Sequence, residues 1–221
     1  MKLKNILEGV HDPAILKTIF LAGGPGSGKT FVSKSITSGH GYKVVSSDKF
    51  FESMLKKEKI STDLEALKKK DRTKFDFAMN LRDKAIKLSQ KEEDNFIKGR
   101  LGIIYDGTGA DLSKIKDTRQ KCFDLGYDTY MVFVNTSLEI AIERNNQRER
   151  TIPKDIVEEK WAQAQNNLKY YKNLFGENYL LVIDNNVFNK NLLNEFWKDV
   201  MKITRNPVKN PIGLEWIKNN T

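Results

Sequence analysis

A glycine-rich segment that ends in lysine and threonine is the strongest chemical signal in the sequence. In FLAGGPGSGKT, at positions 20–30, Gly23, Gly28, Lys29 and Thr30 match the pattern G-x-x-x-x-G-K-[ST]. The glycines permit backbone conformations that a Cβ forbids, so successive amide N–H groups can point at phosphate oxygens. Lys29 is expected to reach the β and γ phosphates of ATP, and the Thr30 hydroxyl is expected to coordinate Mg²⁺. The predicted nucleotide-binding residues are Gly23, Gly24, Pro25, Gly26, Ser27, Gly28, Lys29 and Thr30 of this loop, together with Arg144 further along the chain.

A first aspartate, Asp48, follows a short apolar run in VVSSDKF. If that run is a strand of a parallel sheet, Asp48 lies at the carboxyl edge, on the same side as the glycine-rich loop. A carboxylate there can accept the proton of an attacking hydroxyl, and Ser46 or Ser47 can assist by hydrogen bonding. The alternative is that Asp48 is only a helix N-cap, because the following residues look helical.

A second aspartate, Asp106, ends the apolar run in LGIIYDGTG and has the form of a Walker B aspartate. It is expected to hold Mg²⁺ through water or to contact substrate. Gly107 and Gly109 allow a ligand to approach closely, and Thr108 offers a hydroxyl. The alternative is a plain turn, for which an aspartate followed by glycine is a common signal.

Three arginines, Arg144, Arg148 and Arg150, predict a basic lid. Arg144 and Arg148 are one helical turn apart and are expected to share a face of a helix that opens at Ser137. Such a group can close over ATP, stack on the adenine and neutralise the charge of the moving phosphoryl group. The alternative is a surface helix whose arginines pair with Glu143 and Glu149.

The elements that must position these residues are five short apolar runs separated by helical stretches. Runs that are nearly continuous in apolar residues are typical of parallel strands covered on both faces, which predicts a three-layer α/β fold. The predicted strands are 18–22, 43–46, 101–105, 129–134 and 179–183. We expect one domain, with a helical insertion at about 51–100, the lid at about 144–153 and an irregular tail at about 205–221 that packs through Leu214, Trp216 and Ile217.

Composition restricts the class of protein further. No apolar run approaches the roughly eighteen residues that a membrane span needs, so a soluble, cytoplasmic protein is expected. The single cysteine, Cys122, excludes an internal disulfide. The net charge of +9, from 38 Lys and Arg against 29 Asp and Glu, favours a polyanionic partner. That partner is either nucleic acid or ATP alone, with much of the excess charge spread over a solvated surface.

The segments FLAGGPGSGKT, VVSSDKF, IIYDGTG and ERNNQRERTIP together resemble the zeta-toxin and polynucleotide-kinase-like group of P-loop kinases, especially versions carried by tailed bacteriophages. The resemblance covers about residues 17–185. It implies the strand order 2-3-1-4-5, Asp48 as the base for a hydroxyl acceptor and Arg144, Arg148 and Arg150 as the lid. For a phage-encoded chain, it also implies the host cytoplasm.

One departure from that group concerns the acceptor. An arginine commonly follows the base aspartate by a few residues, whereas here Lys49, Phe50 and Phe51 follow Asp48. The candidates to bind the acceptor in its place are Arg82 and Arg100, both in the predicted insertion.

The sequence therefore predicts an ATP- and Mg²⁺-dependent kinase that phosphorylates a hydroxyl. The favoured acceptor is DNA, at a 5′-hydroxyl end or a hydroxymethylated base, or a nucleotide; a small metabolite or nucleotide-sugar is the alternative. An ATPase switch would be expected to carry an acidic residue beside Asp106, where this chain has Gly107. A nucleic-acid-binding module with a vestigial nucleotide site is disfavoured by the intact Lys29 and Thr30.

Overall fold

The computed structural model describes residues 10–37, 41–148, 150–187 and 190–221. Within them, five parallel strands form one sheet in the order β2-β3-β1-β4-β5. The α/β fold and the strand order predicted from the sequence are confirmed. The strands are β1 (Lys17–Ala22), β2 (Lys43–Val45), β3 (Ile103–Asp106), β4 (Asp128–Asn135) and β5 (Leu180–Asp184).

Helices cover both faces of this sheet. On one face of β1, Ile19 and Leu21 pack in a cluster with Val200. On the other face, Phe20 lies in a separate cluster with Tyr171. Because successive strand residues point to opposite faces, two apolar layers require a continuous apolar strand, as the sequence shows. The helices are α1 (Lys29–Thr37), α2 (Ser47–Lys57), α3 (Leu64–Lys70), α4 (Arg72–Lys98), α5 (Leu112–Asp124), α6 (Leu138–Asn146), α7 (Lys154–Phe175), α8 (Lys190–Arg205) and α9 (Pro211–Asn220).

The segment between β2 and β3 is helical throughout most of its length. Helices α2, α3 and α4 share a buried cluster of their own, which includes Phe51, Leu55 and Phe75. The side chains of Asp63 and Asp71 accept backbone N–H groups at the starts of α3 and α4. The helical unit begins earlier than position 51, because Ser46 caps α2 directly after β2.

The carboxyl-terminal segment is more regular than expected. The prediction of an irregular tail at about 205–221 is wrong for α9, since Pro211 occupies the first turn of a helix capped by Asn210. Proline favours that position because its missing N–H would have no helical partner there. Trp216 and Ile217 do pack against the core, but Leu214 is 48% exposed.

Two findings bear on the compositional predictions. Among the described residues, none of the helices has the length and apolar character to cross a bilayer. Cys122 is fully buried in α5.

Candidate active site

A cavity of about 1300 Å³ lies at the carboxyl edge of the sheet, between the P-loop (residues 23–30), the helical unit α2–α4 and α5. Most of the residues that the sequence singled out line it together. They are Pro25, Lys29, Thr30, Ser47, Asp48, Arg82, Asp106, Thr108, Arg148 and Arg150. The side chains are brought together because the carboxyl ends of parallel strands meet at one edge.

The P-loop is packed so tightly that a Cβ at any of its four glycines would come within 3.0 Å of another residue, and Gly26 and Gly28 show this. Gly26 has a φ of +85°, and a Cβ there would lie 2.2 Å from the carbonyl oxygen of Ala141 in α6. Gly28 has a φ of +95°, and its Cβ would lie 2.3 Å from Nδ2 of Asn185. The loop is thus held against the segments that follow β4 and β5.

Lys29 folds back over the P-loop. Its Nζ donates to the carbonyl oxygens of Gly23 and Gly24 at 2.7 and 2.9 Å. Withdrawal from water lowers the pKa of Lys29 to about 8, and the nearby charge of Asp106 opposes that change. A phosphate group in the loop would add a close counter-charge to the carbonyl dipoles and to the more general influence of Asp106 and Asp48.

Two residues that the sequence reasoning missed brace the P-loop from outside. Asn185, directly after β5, donates from Nδ2 to the carbonyl oxygen of Ser27 at 2.7 Å. Trp161 of α7 lies against Gly24 and donates from Nε1 to the carbonyl oxygen of Thr136 at 2.8 Å. Asn185 was detectable as a polar residue at a strand end. Trp161 stood among aromatic residues at helical spacing, which indicated only a core position.

Asp48 lies in the first turn of α2 and is not its N-cap. The cap is Ser46, whose Oγ accepts the Asp48 N–H at 3.4 Å. The Asp48 carboxylate instead points to the lid and is bound by Arg150, with Nη2 2.6 Å from Oδ2 and Nη1 3.3 Å from Oδ1. Arg150 also contacts Glu52, one helical turn further along α2, at 3.1 Å. The alternative in which Asp48 only caps a helix is therefore wrong.

Asp106 ends β3 beside the P-loop. Burial raises the pKa of its carboxyl group, while Lys29 opposes the rise and Asp48 adds to it. Nearby, Gly23 N–H donates to the carbonyl oxygen of Thr108 at 2.9 Å, and Tyr171 of α7 donates its hydroxyl to Gly109 at 2.7 Å. These bonds fix the loop after β3 relative to the P-loop.

The donor set is suited to Mg²⁺ bound with a nucleotide. Within the described residues there is no group of three or more His, Cys, Asp or Glu side chains that could hold a metal alone. Mg²⁺ usually takes only one or two protein ligands and completes its shell with phosphates and water. The exposed Thr30 and the Asp106 carboxylate, both facing the cavity, fit that pattern.

Arg144 does not belong with the other two arginines. Helix α6 ends at Asn146, so Arg148 lies beyond it, and the predicted shared helical face is wrong. Arg144 points instead to the segment after β5, where Nη1 donates to the Asn185 carbonyl oxygen at 2.8 Å. It supports the residue that braces the P-loop and does not line the cavity. Its suggested partner Glu149 lies outside the described residues.

The segment that carries Arg150 is tied to its surroundings on both sides. The buried side chain of Asn145 accepts from the Ile152 N–H at 3.1 Å and donates to the Ile152 carbonyl oxygen at 2.9 Å. The Thr151 hydroxyl donates to Asp63, the N-cap of α3. These bonds place Arg150 opposite α2.

The two arginines proposed to bind the acceptor are separated by the fold. Arg82, on α4, lines the cavity, and its guanidinium lies 5.9 Å from the centre of the Phe51 ring. Arg100 precedes β3 and is therefore at the opposite, amino edge of the sheet, where it donates to the Leu125 carbonyl oxygen at 3.2 Å and lies over Trp216. Its position corrects the expectation that it could reach an acceptor.

Comparison with known proteins bears on the family and the fold. The family model described as AAA domain matches residues 19–170. No curated protein sequence shows a significant match.

Three solved structures share the fold at low sequence identity. A protein of Chloroflexus aurantiacus that is proposed to be a kinase is 16% identical, with a TM-score of 0.53 over 86% of this chain and 97% of that chain. A chain of the Pnkp1/Rnl/Hen1 RNA repair complex is 20% identical, with a TM-score of 0.52 over 76% of this chain and 49% of that chain. A chain of the PezAT toxin–antitoxin system of Streptococcus pneumoniae is 14% identical, with a TM-score of 0.53 over 92% and 85%.

Proposed function

We propose that this chain, which belongs to the AAA-domain family and has the P-loop kinase fold, is an ATP-dependent kinase that phosphorylates a hydroxyl group. The observation that carries the proposal is the shared cavity. Lys29 of the P-loop, Asp48 of α2 and Arg150 of the lid all line it, although they are far apart in the sequence. A phosphate site, a carboxylate that can bind a hydroxyl and a cation that can balance the charge of the transferred phosphoryl group thus face the same cavity.

The P-loop side of the cavity is proposed to bind the triphosphate of ATP. Backbone N–H groups of residues 23–30 and the ammonium of Lys29 would contact the phosphates, with the start of α1 adding its positive end. Thr30, and Asp106 through water, would hold Mg²⁺, which neutralises phosphate charge when bound. A phosphate here would compete with Gly23 and Gly24 for Lys29.

The α2 side is proposed to receive the acceptor. Asp48 would accept the hydrogen bond of the attacking hydroxyl and orient its oxygen toward the γ phosphate, which matters more than strong basicity in a loose transition state. Arg148 and Arg150 would balance the charge of the phosphoryl group in transit. Ser47 and Thr108, which also line the cavity, offer further hydrogen bonds to the acceptor.

A simple ATPase is a poorer account of this arrangement. Gly107 follows Asp106, so the loop after β3 has no adjacent carboxylate to activate water. The prominent carboxylates, Asp48 and Glu52, come instead from the helix that begins the α2–α4 unit, across the cavity from the P-loop.

The acceptor is proposed to be nucleic acid or a nucleotide. The cavity, at about 1300 Å³, exceeds the roughly 300–1,000 Å³ typical of a site for one small ligand, so it has room for ATP and an acceptor together. Arg82 places a cation in the same cavity as Asp48, where an acceptor phosphate could bind. The net charge of +9 also favours a polyanion. Because the sequence resembles versions from tailed bacteriophages, hydroxymethylated DNA and a role in DNA modification should be tested first.

The test is transfer of label from γ-³²P-ATP with Mg²⁺ to a panel of acceptors. The panel holds 5′-hydroxyl DNA and RNA, hydroxymethyluracil DNA, nucleosides, nucleotide-sugars and small sugar alcohols. Lys29→Met and Asp48→Asn are compared with Glu58→Gln, which alters an exposed residue at the end of α2. Label in one acceptor that is lost in the first two variants only would support the kinase. Phosphate release without a labelled acceptor, unchanged by Asp48→Asn, would refute it.

A further inference from the structure

The guanidinium group of Arg150 makes two separate sets of contacts. Its two Nη atoms form a fork with Asp48, at 3.3 and 2.6 Å. Its Nε contacts Oε1 of Glu52 at 3.1 Å. The Arg150 side chain is only 14% exposed, whereas those of Asp48 and Glu52 are 50% and 43% exposed. Thus the arginine is enclosed and both carboxylates remain open to the cavity.

This fork uses one lone pair on each oxygen of the residue proposed to receive the acceptor hydroxyl, and its positive charge makes that carboxylate a weaker hydrogen-bond acceptor. A guanidinium fork matches a phosphate as well as a carboxylate, and a terminal phosphate carries more negative charge. A γ phosphate in the P-loop would therefore compete with Asp48 for the two Nη atoms. Asp48 would then be available to the acceptor.

Glu52 allows Arg150 to change partners while its guanidinium group stays in position over the cavity. It lies four residues after Asp48 on α2, so both side chains face the lid. Its contact is with Nε, which is not part of the fork to Asp48. While the Nη atoms change partner, the Nε contact can persist and keep the guanidinium over the cavity.

We propose that Glu52 is a positioning residue that holds Arg150 by Nε, so that the Nη atoms pass from Asp48 to the γ phosphate when ATP binds. In this arrangement ATP itself releases the acceptor-orienting carboxylate from its ion pair with Arg150. The proposal rests on the proposed function, since it assigns Asp48 and the γ phosphate the roles given above. It adds Glu52 to the site and makes binding of the γ phosphate and release of Asp48 from Arg150 one event.

The exchange can be tested by nucleotide binding alone, without an acceptor. ADP lacks the γ phosphate, so the ratio of the affinities for the β,γ-imido analogue of ATP and for ADP, both with Mg²⁺, reports the Arg150 contact. Calorimetric titration of Arg150→Gln should show this ratio reduced about tenfold. Asp48→Asn should raise the ratio about threefold, because Arg150 no longer has to leave a carboxylate.

The coupling between these residues is the decisive measurement. In the Arg150→Gln background, Asp48→Asn should leave the ratio unchanged. Glu52→Gln should lower the ratio about threefold, and Glu58→Gln, the same charge change at the exposed end of α2, should not alter it. Circular dichroism shows whether each variant folds. Arg150→Lys, a second variant that keeps the charge but not the fork, then separates loss of folding from loss of the contact.

Two results would overturn the inference. One is an Asp48→Asn effect that is equal for the ATP analogue and ADP or that persists without Arg150, because it would reflect general electrostatics. The other is a Glu52→Gln ratio that is unchanged or increased. If the coupling is found but no acceptor is labelled, the exchange stands and the proposed kinase activity fails. If an acceptor is labelled but the coupling is not found, the proposed kinase activity stands and the exchange fails.

Discussion

Asn185 donates from Nδ2 to the carbonyl oxygen of Ser27 at 2.7 Å, and so links the segment after β5 to the centre of the P-loop. The same residue accepts, through its own carbonyl oxygen, a hydrogen bond from Arg144 at 2.8 Å. Arg144 of α6 and the P-loop are thus connected through one asparagine. This gives Arg144 a supporting role in place of the direct one expected for it.

Replacing Asn185 with Ala should weaken nucleotide binding more than it weakens the fold. The loss of one hydrogen bond to a partly buried carbonyl group is worth about 1 kcal/mol, which corresponds to an approximately fivefold rise in the Kd for Mg-ATP. Calorimetric titration measures this, with Val187→Ala at a neighbouring, highly exposed position as the control. Equal affinities for the two variants would mean that the link does not shape the loop.

The packing of Gly26 predicts that alanine substitutions at two glycines with similar backbone conformation differ sharply in their effect on stability. Gly26→Ala should lower the free energy of unfolding by about 2 kcal/mol or more, since it adds a clash with Ala141 to the cost of a positive φ. Gly176 has a φ of +80° but nothing within 4 Å of its Cβ position, so Gly176→Ala shows the backbone cost alone. Urea denaturation compares the two, and equal losses would argue against the close contact with α6.

How far the sequence predicts the site depends on whether a residue belongs to a local pattern. Residues 23–30 and Asp48 follow strands and Asp106 ends one, and the parallel sheet places them at one edge. Arg144 and Arg148 share a spacing that predicts one helical face, but the helix ends at Asn146 between them. Nothing in the spacing reveals that end, because it depends on Asn145 bonding to the backbone of Ile152.

Contacts between distant segments are the part that local pattern cannot supply. Arg82 and Arg100 both lie in the long segment between β2 and β3, and their sequence positions are equally suitable for an acceptor contact. The 27-residue length of α4 carries one to the cavity and the other to the amino edge of the sheet. In the same way, the sequence around Pro211 indicates a helix breaker, whereas the structure places this proline in the first turn of α9, where the helix begins.

Two buried lysines predict how stability changes with pH in the absence of nucleotide. Burial lowers the pKa of Lys17 to about 8 from 10.5, and Lys29 behaves in the same way. Between these values each of the two lysines keeps its proton in the unfolded chain but loses it in the folded one, so each makes the free energy of unfolding rise as the pH increases above about 8. The Cys122 thiol, whose pKa burial raises to about 11, opposes that rise above about pH 9. Below about 8 both states are protonated and the effect is constant.

Lys17→Met isolates one of the two contributions. Lys17 donates to the carbonyl oxygen of Pro13 at 3.0 Å and to that of Thr204, so its ammonium is held at the end of α8. The variant should lose part of the rise between pH 8 and about 9, before most tyrosine side chains of the unfolded chain ionise, whereas the exposed Lys116→Met should keep it. Urea denaturation across this range measures the slope, and an unchanged slope in Lys17→Met would contradict the lowered pKa.

Arg82 and Arg100 give a final prediction, because the fold separates two arginines that the sequence treats alike. Arg82→Ala should raise the KM for the acceptor about tenfold with little change in kcat, as expected when a charged hydrogen bond to a remote anionic group is lost. Arg100→Ala should leave that KM unchanged and lower stability, since Arg100 bonds to Leu125 and lies over Trp216 at the other edge. Steady-state kinetics with the labelled acceptor and urea denaturation distinguish the two effects. A KM effect in Arg100→Ala alone would mean that the acceptor does not enter from the α4 side of the cavity.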